Sequence, residues 1–104
     1  MQDKNNKNRT MAKQKMKFNI SDCIIRGDAR RLKEKKKPIK TLRRLVYELA
    51  KDEKYQDITK ETLYQKLYRY ENDGFLLTTI DELADDICVI LMANKSELVK
   101  NVYD

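Results

Sequence analysis

Ile39, Leu42, Leu45, Val46, Leu49 and Ala50 fall on one face of a helix, and Lys40, Arg43, Arg44, Glu48 and Lys51 fall on the other. At about 3.6 residues per turn, such a pattern is buried only as an amphipathic helix laid on a core. The spacing predicts a helix over 38–51, with Pro38 in the first position, where a missing N–H costs nothing. A second stripe, Leu63, Leu67 and Tyr70, stands at i, i+4 and i+7. Asp57 or Thr59 is placed to cap it, and Asn72, Asp73 and Gly74 to end it, which predicts a helix over 58–73. A third run holds Ile80, Leu83, Ala84, Ile87, Cys88, Leu91 and Met92 behind a capping-box spacing from Thr79 to Glu82, with Thr78 the alternative cap. Asn94 ends that run, and Ser96 opens a short last helix bearing Leu98, Val99, Val102 and Tyr103. Two Gly and one Pro in 104 residues leave few turn signals for an all-β fold. The expected fold is therefore all-α, a small helical domain of four to five helices over residues 18–104.

Residues 1–17 hold six Lys or Arg against one Asp, with little that can pack, and are expected to form a disordered basic arm. Residues 16–25 carry two readings. Met16, Phe18 and Ile20 alternate as in a short strand, whereas Ser21 and Asp22 can cap a helix through Ile24, Ile25, Ala29 and Leu32 that Gly27 interrupts. The helix from Ser21 is the preferred one.

Charge is distributed unevenly. Residues 1–44 carry a formal +12, residues 45–70 are neutral and residues 71–104 carry −6. Residues 26–44 alone hold ten Lys or Arg against Asp28 and Glu34. One end of such a chain attracts polyanions and the other repels them. The chain has no histidine, and Cys23 and Cys88 lie far apart, so neither a CxxC zinc site nor a Cys/His nucleophile can be assembled. Asp81, Glu82, Asp85 and Asp86 are the one acidic cluster, and a helix dipole accounts for acids in a first turn. No cofactor, metal or enzymatic activity is expected. No apolar run approaches the roughly 20 residues of a membrane span, and the expected location is the cytoplasm.

Residues 58–67, ITKETLYQKL, resemble the recognition helix of the Fis-type helix-turn-helix, whose pattern is approximately I-S-R-x-T-L-Y-R-K-L, and Tyr68-Arg69-Tyr70 fits its basic or aromatic tail. The resemblance implies that Ile58, Leu63 and Leu67 pack inward. It also implies that Lys60, with Thr59 or Thr62, meets the DNA backbone, and that Tyr64, Gln65 and Arg69 lie nearest the groove. The preceding positions depart from the family, with Glu53 where a small residue is usual and Asp57 where a turn glycine is usual. Either the turn here is longer, or three helices imitate the motif.

These features together predict a small DNA-binding regulator of transcription or replication, from a phage, plasmid or other mobile element. Richness in Lys, Asn, Ile and Tyr is compatible with an AT-rich genome of that kind. Phosphate contacts are expected from Arg30, Arg31, Lys35, Lys36, Lys37, Lys40, Arg43 and Arg44, beside Lys60, Tyr64, Gln65 and Arg69. That reading asks Arg43 and Arg44 to be free of the chain's own carboxylates. Leu83, Ile87, Ile90 and Leu91 are a candidate seam for a homodimer or a host protein. Double-stranded DNA is the leading partner, and RNA or single-stranded DNA remains open. The alternative is a module that docks on a host enzyme through the apolar face of residues 75–92.

Overall fold

In a computed structural model of the protein, residues 14–76 and 81–102 are described. They form a strand β1 (Lys15–Phe18), helix α1 (Ile20–Lys33), helix α2 (Leu42–Leu49), a 3-10 turn (Glu53–Tyr55) and helix α3 (Lys60–Asn72). Strand β2 (Phe75–Leu76), helix α4 (Asp81–Leu91), helix α5 (Lys95–Leu98) and strand β3 (Val99–Asn101) follow. The protein is mostly helical, but the all-α expectation is corrected by a three-stranded sheet of order β2-β1-β3. Both pairings are antiparallel, with Lys15 opposite Leu76, Lys17 opposite Lys100 and Phe18 opposite Val99. Strands this short carry almost no periodic signal, and their partners lie more than fifty residues away along the chain.

The two readings of residues 16–25 are both realised, one after the other. Phe18 turns inward and meets Tyr70 edge-on at 5.6 Å and Phe75 at 4.8 Å. Asn19 donates its backbone N–H to the Leu98 carbonyl at 2.7 Å, and the helix begins at Ile20. Lys15, Met16 and Lys17, expected in the disordered arm, thus lie in the central strand. The remainder of that arm, residues 1–13, lies outside the described residues.

Gly27 does not interrupt α1. It is buried, and a Cβ built on it would stand 1.9 Å from the Leu91 carbonyl oxygen, so the absent side chain is what lets α1 lie against the end of α4. The α1 helix ends in a Schellman turn, with Lys36 N–H donating to Arg31 O at 2.9 Å and Lys35 N–H to Leu32 O at 3.1 Å.

The helix predicted from Pro38 starts later, at Leu42. The Asp28 carboxylate accepts the backbone N–H of Ile39 at 2.7 Å and of Lys40 at 2.8 Å, which ties this segment to α1 in a non-helical turn closed by Thr41 N–H on the Ile39 carbonyl at 2.8 Å. Thr41 then caps α2 by accepting the N–H of Arg44 at 3.1 Å. From α2 to α3 the chain runs through residues 50–59 and the 3-10 turn, well beyond the roughly three to four residues that join a helix-turn-helix.

Helix α3 begins and ends near its expected bounds. Thr59 caps it by accepting from Thr62 N–H at 3.1 Å. Gly74 ends it at φ 92°, where an added Cβ would also come within 2.7 Å of the Met16 carbonyl of β1. Leu63 and Leu67 are buried and Tyr70 packs at the core edge, as the stripe predicts. The proposed cap at Thr78 or Thr79 and residue Ile80 lie outside the described residues. After Asn94 the last helix is a single turn, and Val99, expected within it, begins β3.

The core gathers Phe18, Ile20, Cys23 and Ile24 with Ile39, Leu45, Val46 and Leu49, the two α3 leucines, and Leu83, Ala84, Ile87, Leu91 and Leu98. Leu83, Ile87 and Leu91 therefore do not form a seam for a second copy or a host protein, which corrects that expectation. Packing against α1 and α2 buries these three residues inside one chain, while Val89 of the same helix is exposed. Ile90, the fourth expected seam residue, is half-buried.

Candidate nucleic-acid interface

Two of the arginines expected on phosphate are occupied by the fold. Arg30 donates to the Met92 carbonyl at 2.6 Å and makes a forked pair with Glu97 at 3.0 and 3.1 Å. Arg31 donates to the carbonyls of Ile90 and Lys37, each at 2.7 Å. Ile90 and Met92 belong to the end of α4, where unpaired carbonyls and the helix dipole favour a cation. The hydrogen bond from Arg30, with a second from the Asn94 backbone, holds the Glu97 carboxyl down at about 2. Arg30 and Arg31 are thus structural ties between α1 and α4, a correction to their assignment as phosphate contacts.

The lysines that follow are placed differently. Lys33, Lys35, Lys36, Lys37 and Lys40 are all exposed. Glu34 reaches Lys36 at 3.6 Å, and Lys33, Lys35, Lys37 and Lys40 have no carboxylate partner among the described residues. Arg31 fixes the loop at Lys37 O, and Asp28 fixes it at the Lys40 amide, so backbone bonds position a row of uncompensated ammonium groups. Lys35 and Lys40 stand at φ 60° and 69°, a region that favours glycine.

Lys40 immediately precedes the cap of α2, so the loop leads directly into Arg43 and Arg44. Both of these pair with the chain's own carboxylates. Arg43 reaches Glu61 at 3.4 Å, with the two side chains 67% and 60% exposed, and such an open pair contributes at most about 1 kcal/mol. Arg44 reaches Glu48 at 3.1 Å. The requirement that they be free is therefore not met, and among the described residues it is the loop lysines that crowd together without carboxylate partners.

Helix α3 exposes one face. Lys60 lies over the Tyr47 ring, and the Arg43 guanidinium lies 4.2 Å from the centre of Tyr64. Gln65 donates to Glu61 at 3.2 Å, and Arg69 is exposed with no side-chain partner among the described residues. The structure thus brings Arg43, Arg44, Lys60, Tyr64 and Gln65 onto one α2–α3 surface, and sets Lys35, Lys36, Lys37 and Lys40 in the loop before it.

Tyr47 and Lys51 belong to this surface, although neither stands among the expected contacts. They extend the outer stripe of Arg44 and Glu48 at helical spacing, which was the available signal. Lys17 and Lys100, directly opposite on neighbouring strands, form a further basic spot that no local pattern announces.

Burial pushes the Cys23 thiol up to about 11 and also raises Cys88, so both resist ionisation. Three acids of α4 are paired within the fold: Lys54 pairs with Glu82 at 3.1 Å and Asp86 at 2.9 Å, Tyr55 donates to Asp86, and Lys95 pairs with Asp85 at 3.2 Å. Among the described residues no cluster of His, Cys, Asp or Glu is arranged for a metal, and no helix is long and apolar enough to cross a membrane. No family model matches the chain, and no curated protein or solved structure is similar to it.

Proposed function

We propose that this is a small DNA-binding protein, a regulator of transcription or replication from a phage, plasmid or other mobile element. It grips double-stranded DNA by its phosphates through the loop of residues 33–40. The α2 and α3 helices act as a helix-turn-helix-like pair with a long connection. One observation carries the reading: a loop pinned by its backbone presents Lys33, Lys35, Lys37 and Lys40 to solvent with no carboxylate partner among the described residues. Stability alone does not favour such a loop, since like charges repel and lysine at φ 60° is strained.

The test is a salt titration of binding to random duplex DNA. Six phosphate contacts give a log–log slope of about −5, and replacing Lys35, Lys36 and Lys37 by Ala lowers its magnitude by roughly 3. A slope near zero in the parent protein sinks the proposal.

A module that docks on a host protein is the second reading. In its favour, Ile25 and Leu32 are 70% and 71% exposed and flank Ala29 on the outer side of α1. Ile25→Asp, about two helical turns from the lysine loop, abolishes partner capture under that reading and leaves DNA affinity unchanged under the first.

A further inference from the structure

The outer surface of α2 and α3 interleaves tyrosines with cations. Tyr47 is 47% exposed, and three cations converge on its ring: Arg44 at 5.5 Å, and Lys51 and Lys60 at 5.1 Å each. Two of these come from the same helical surface as Tyr47, and the third comes from the start of α3. Glu48 pairs with both Arg44 and Lys51, and among the described residues Lys60 has no carboxylate partner. Farther along α3, the Arg43 guanidinium lies over Tyr64, and Tyr64 stacks on Tyr68 with centroids 6.3 Å apart and planes 23° apart. Tyr68 is 53% exposed.

Lys60, Tyr64 and Tyr68 follow one another at i, i+4 and i+8. Lys60, Tyr64 and Tyr68 therefore form a line along α3, with roughly 5–6 Å per helical step, and Tyr47 of α2 meets its Lys60 end. Tyr47 and Tyr64 each have a cation over the ring, and Tyr68 joins them through its stack on Tyr64.

A duplex cannot use these rings, because its bases already stack on each other and only their edges reach the grooves. An unpaired base can, since every base has a π-face to lay on an aromatic ring while its phosphate meets a neighbouring cation. We infer that the Tyr47–Tyr64–Tyr68 line is a stacking platform for single-stranded DNA or RNA, with bases on Tyr47 and Tyr68 and phosphates on Arg43, Arg44, Lys51 and Lys60. This rests on the reading of the protein as a nucleic-acid binder. It adds that unpaired nucleotides, as at a melted or replicating site, are a ligand distinct from the duplex held by the lysine loop.

The chain has no tryptophan, so its tyrosine emission reports directly on stacking. The experiment titrates the full chain with an oligo-dT 12-mer, with an abasic oligonucleotide of the same phosphate number, and with a duplex of the same length, all at one salt concentration. Oligo-dT is expected to quench tyrosine emission and to bind more tightly than the abasic strand. Tyr47→Ala and Tyr68→Ala should each weaken oligo-dT binding roughly 5- to 150-fold, the range for losing one stacked base. Duplex and abasic binding should stay within about twofold, and Tyr47→Phe and Tyr68→Phe should restore oligo-dT affinity, because stacking needs the ring and not the hydroxyl.

Equal affinity for oligo-dT and the abasic strand overturns the platform, as does a loss on Tyr→Ala that falls equally on the duplex. In both cases intact duplex binding leaves the DNA-binding proposal standing. Failure to bind any of the three ligands removes both.

Discussion

Replacing Gly27 by Ala separates two accounts of α1. On a solvent-facing helix the change stabilises, because alanine is favoured over glycine by roughly 0.5–1 kcal/mol. Here the new methyl would sit 1.9 Å from the Leu91 carbonyl oxygen and 2.9 Å from its carbon, and both belong to the backbone of α4. No side chain can swing aside, so α1 and α4 must part by more than 1 Å to restore an ordinary contact of about 3.5 Å. Overpacking of this kind costs about 1–3 kcal/mol, and rigid backbone on both sides places it at the upper end. Separation also stretches the 2.7 Å bond from Arg31 to Ile90 O, worth about 1–2 kcal/mol in a half-exposed setting. Set against the helix gain, the net loss is about 3 kcal/mol. Urea unfolding followed by far-UV circular dichroism should show the midpoint falling by about 1–3 M at an unchanged slope. Because the same helix end launches the lysine loop, duplex affinity should fall with it. A midpoint that holds or rises refutes the close approach of α1 and α4.

Lys35→Gly relieves the left-handed residue of the α1 terminator and is expected to raise stability by about 0.5–1 kcal/mol while weakening duplex binding; a drop in the unfolding midpoint contradicts the Schellman geometry. Glu97 has a folded pKa held from 4.5 down to about 2, so its contribution is intact above pH 4.5 and is lost as the pH falls toward 2. The acid limb of a stability–pH curve should accordingly flatten over that window in Glu97→Gln, and an identical limb argues against the Arg30 pairing. Ile87→Ala should destabilise by about 2–5 kcal/mol, as expected for a residue 0% exposed, without changing the mass measured in sedimentation; a change from dimer to monomer would restore the seam on α4.

The helices were legible wherever their causes are local. Leu63, Leu67, Thr59 and Gly74 define α3 within its own stretch, and the apolar face of α4 is visible at helical spacing. The start of α2 was missed because Asp28, eleven residues upstream of Ile39, takes up the backbone amides that Pro38 seemed to release into a helix. The candidate site divides along the same line. Lysines crowded into 33–40 are plain from composition, while the diversion of Arg30 and Arg31 to carbonyls of α4 depends on groups about sixty residues away.

By itself the sequence determined that the chain is mostly helical, which faces of its helices are apolar, and that positive charge gathers in its first half, because each of these follows from side chains a few positions apart. Only the tertiary structure decided the rest. Strand β1 acquires partners from beyond α3, Gly27 becomes a contact with α4 instead of a break, and the leucines of α4 close the core instead of a dimer. The physical reason is common to all three: backbone donors, carbonyls and buried volume are satisfied by whatever the fold brings across from elsewhere in the chain, and no local periodicity encodes that neighbour.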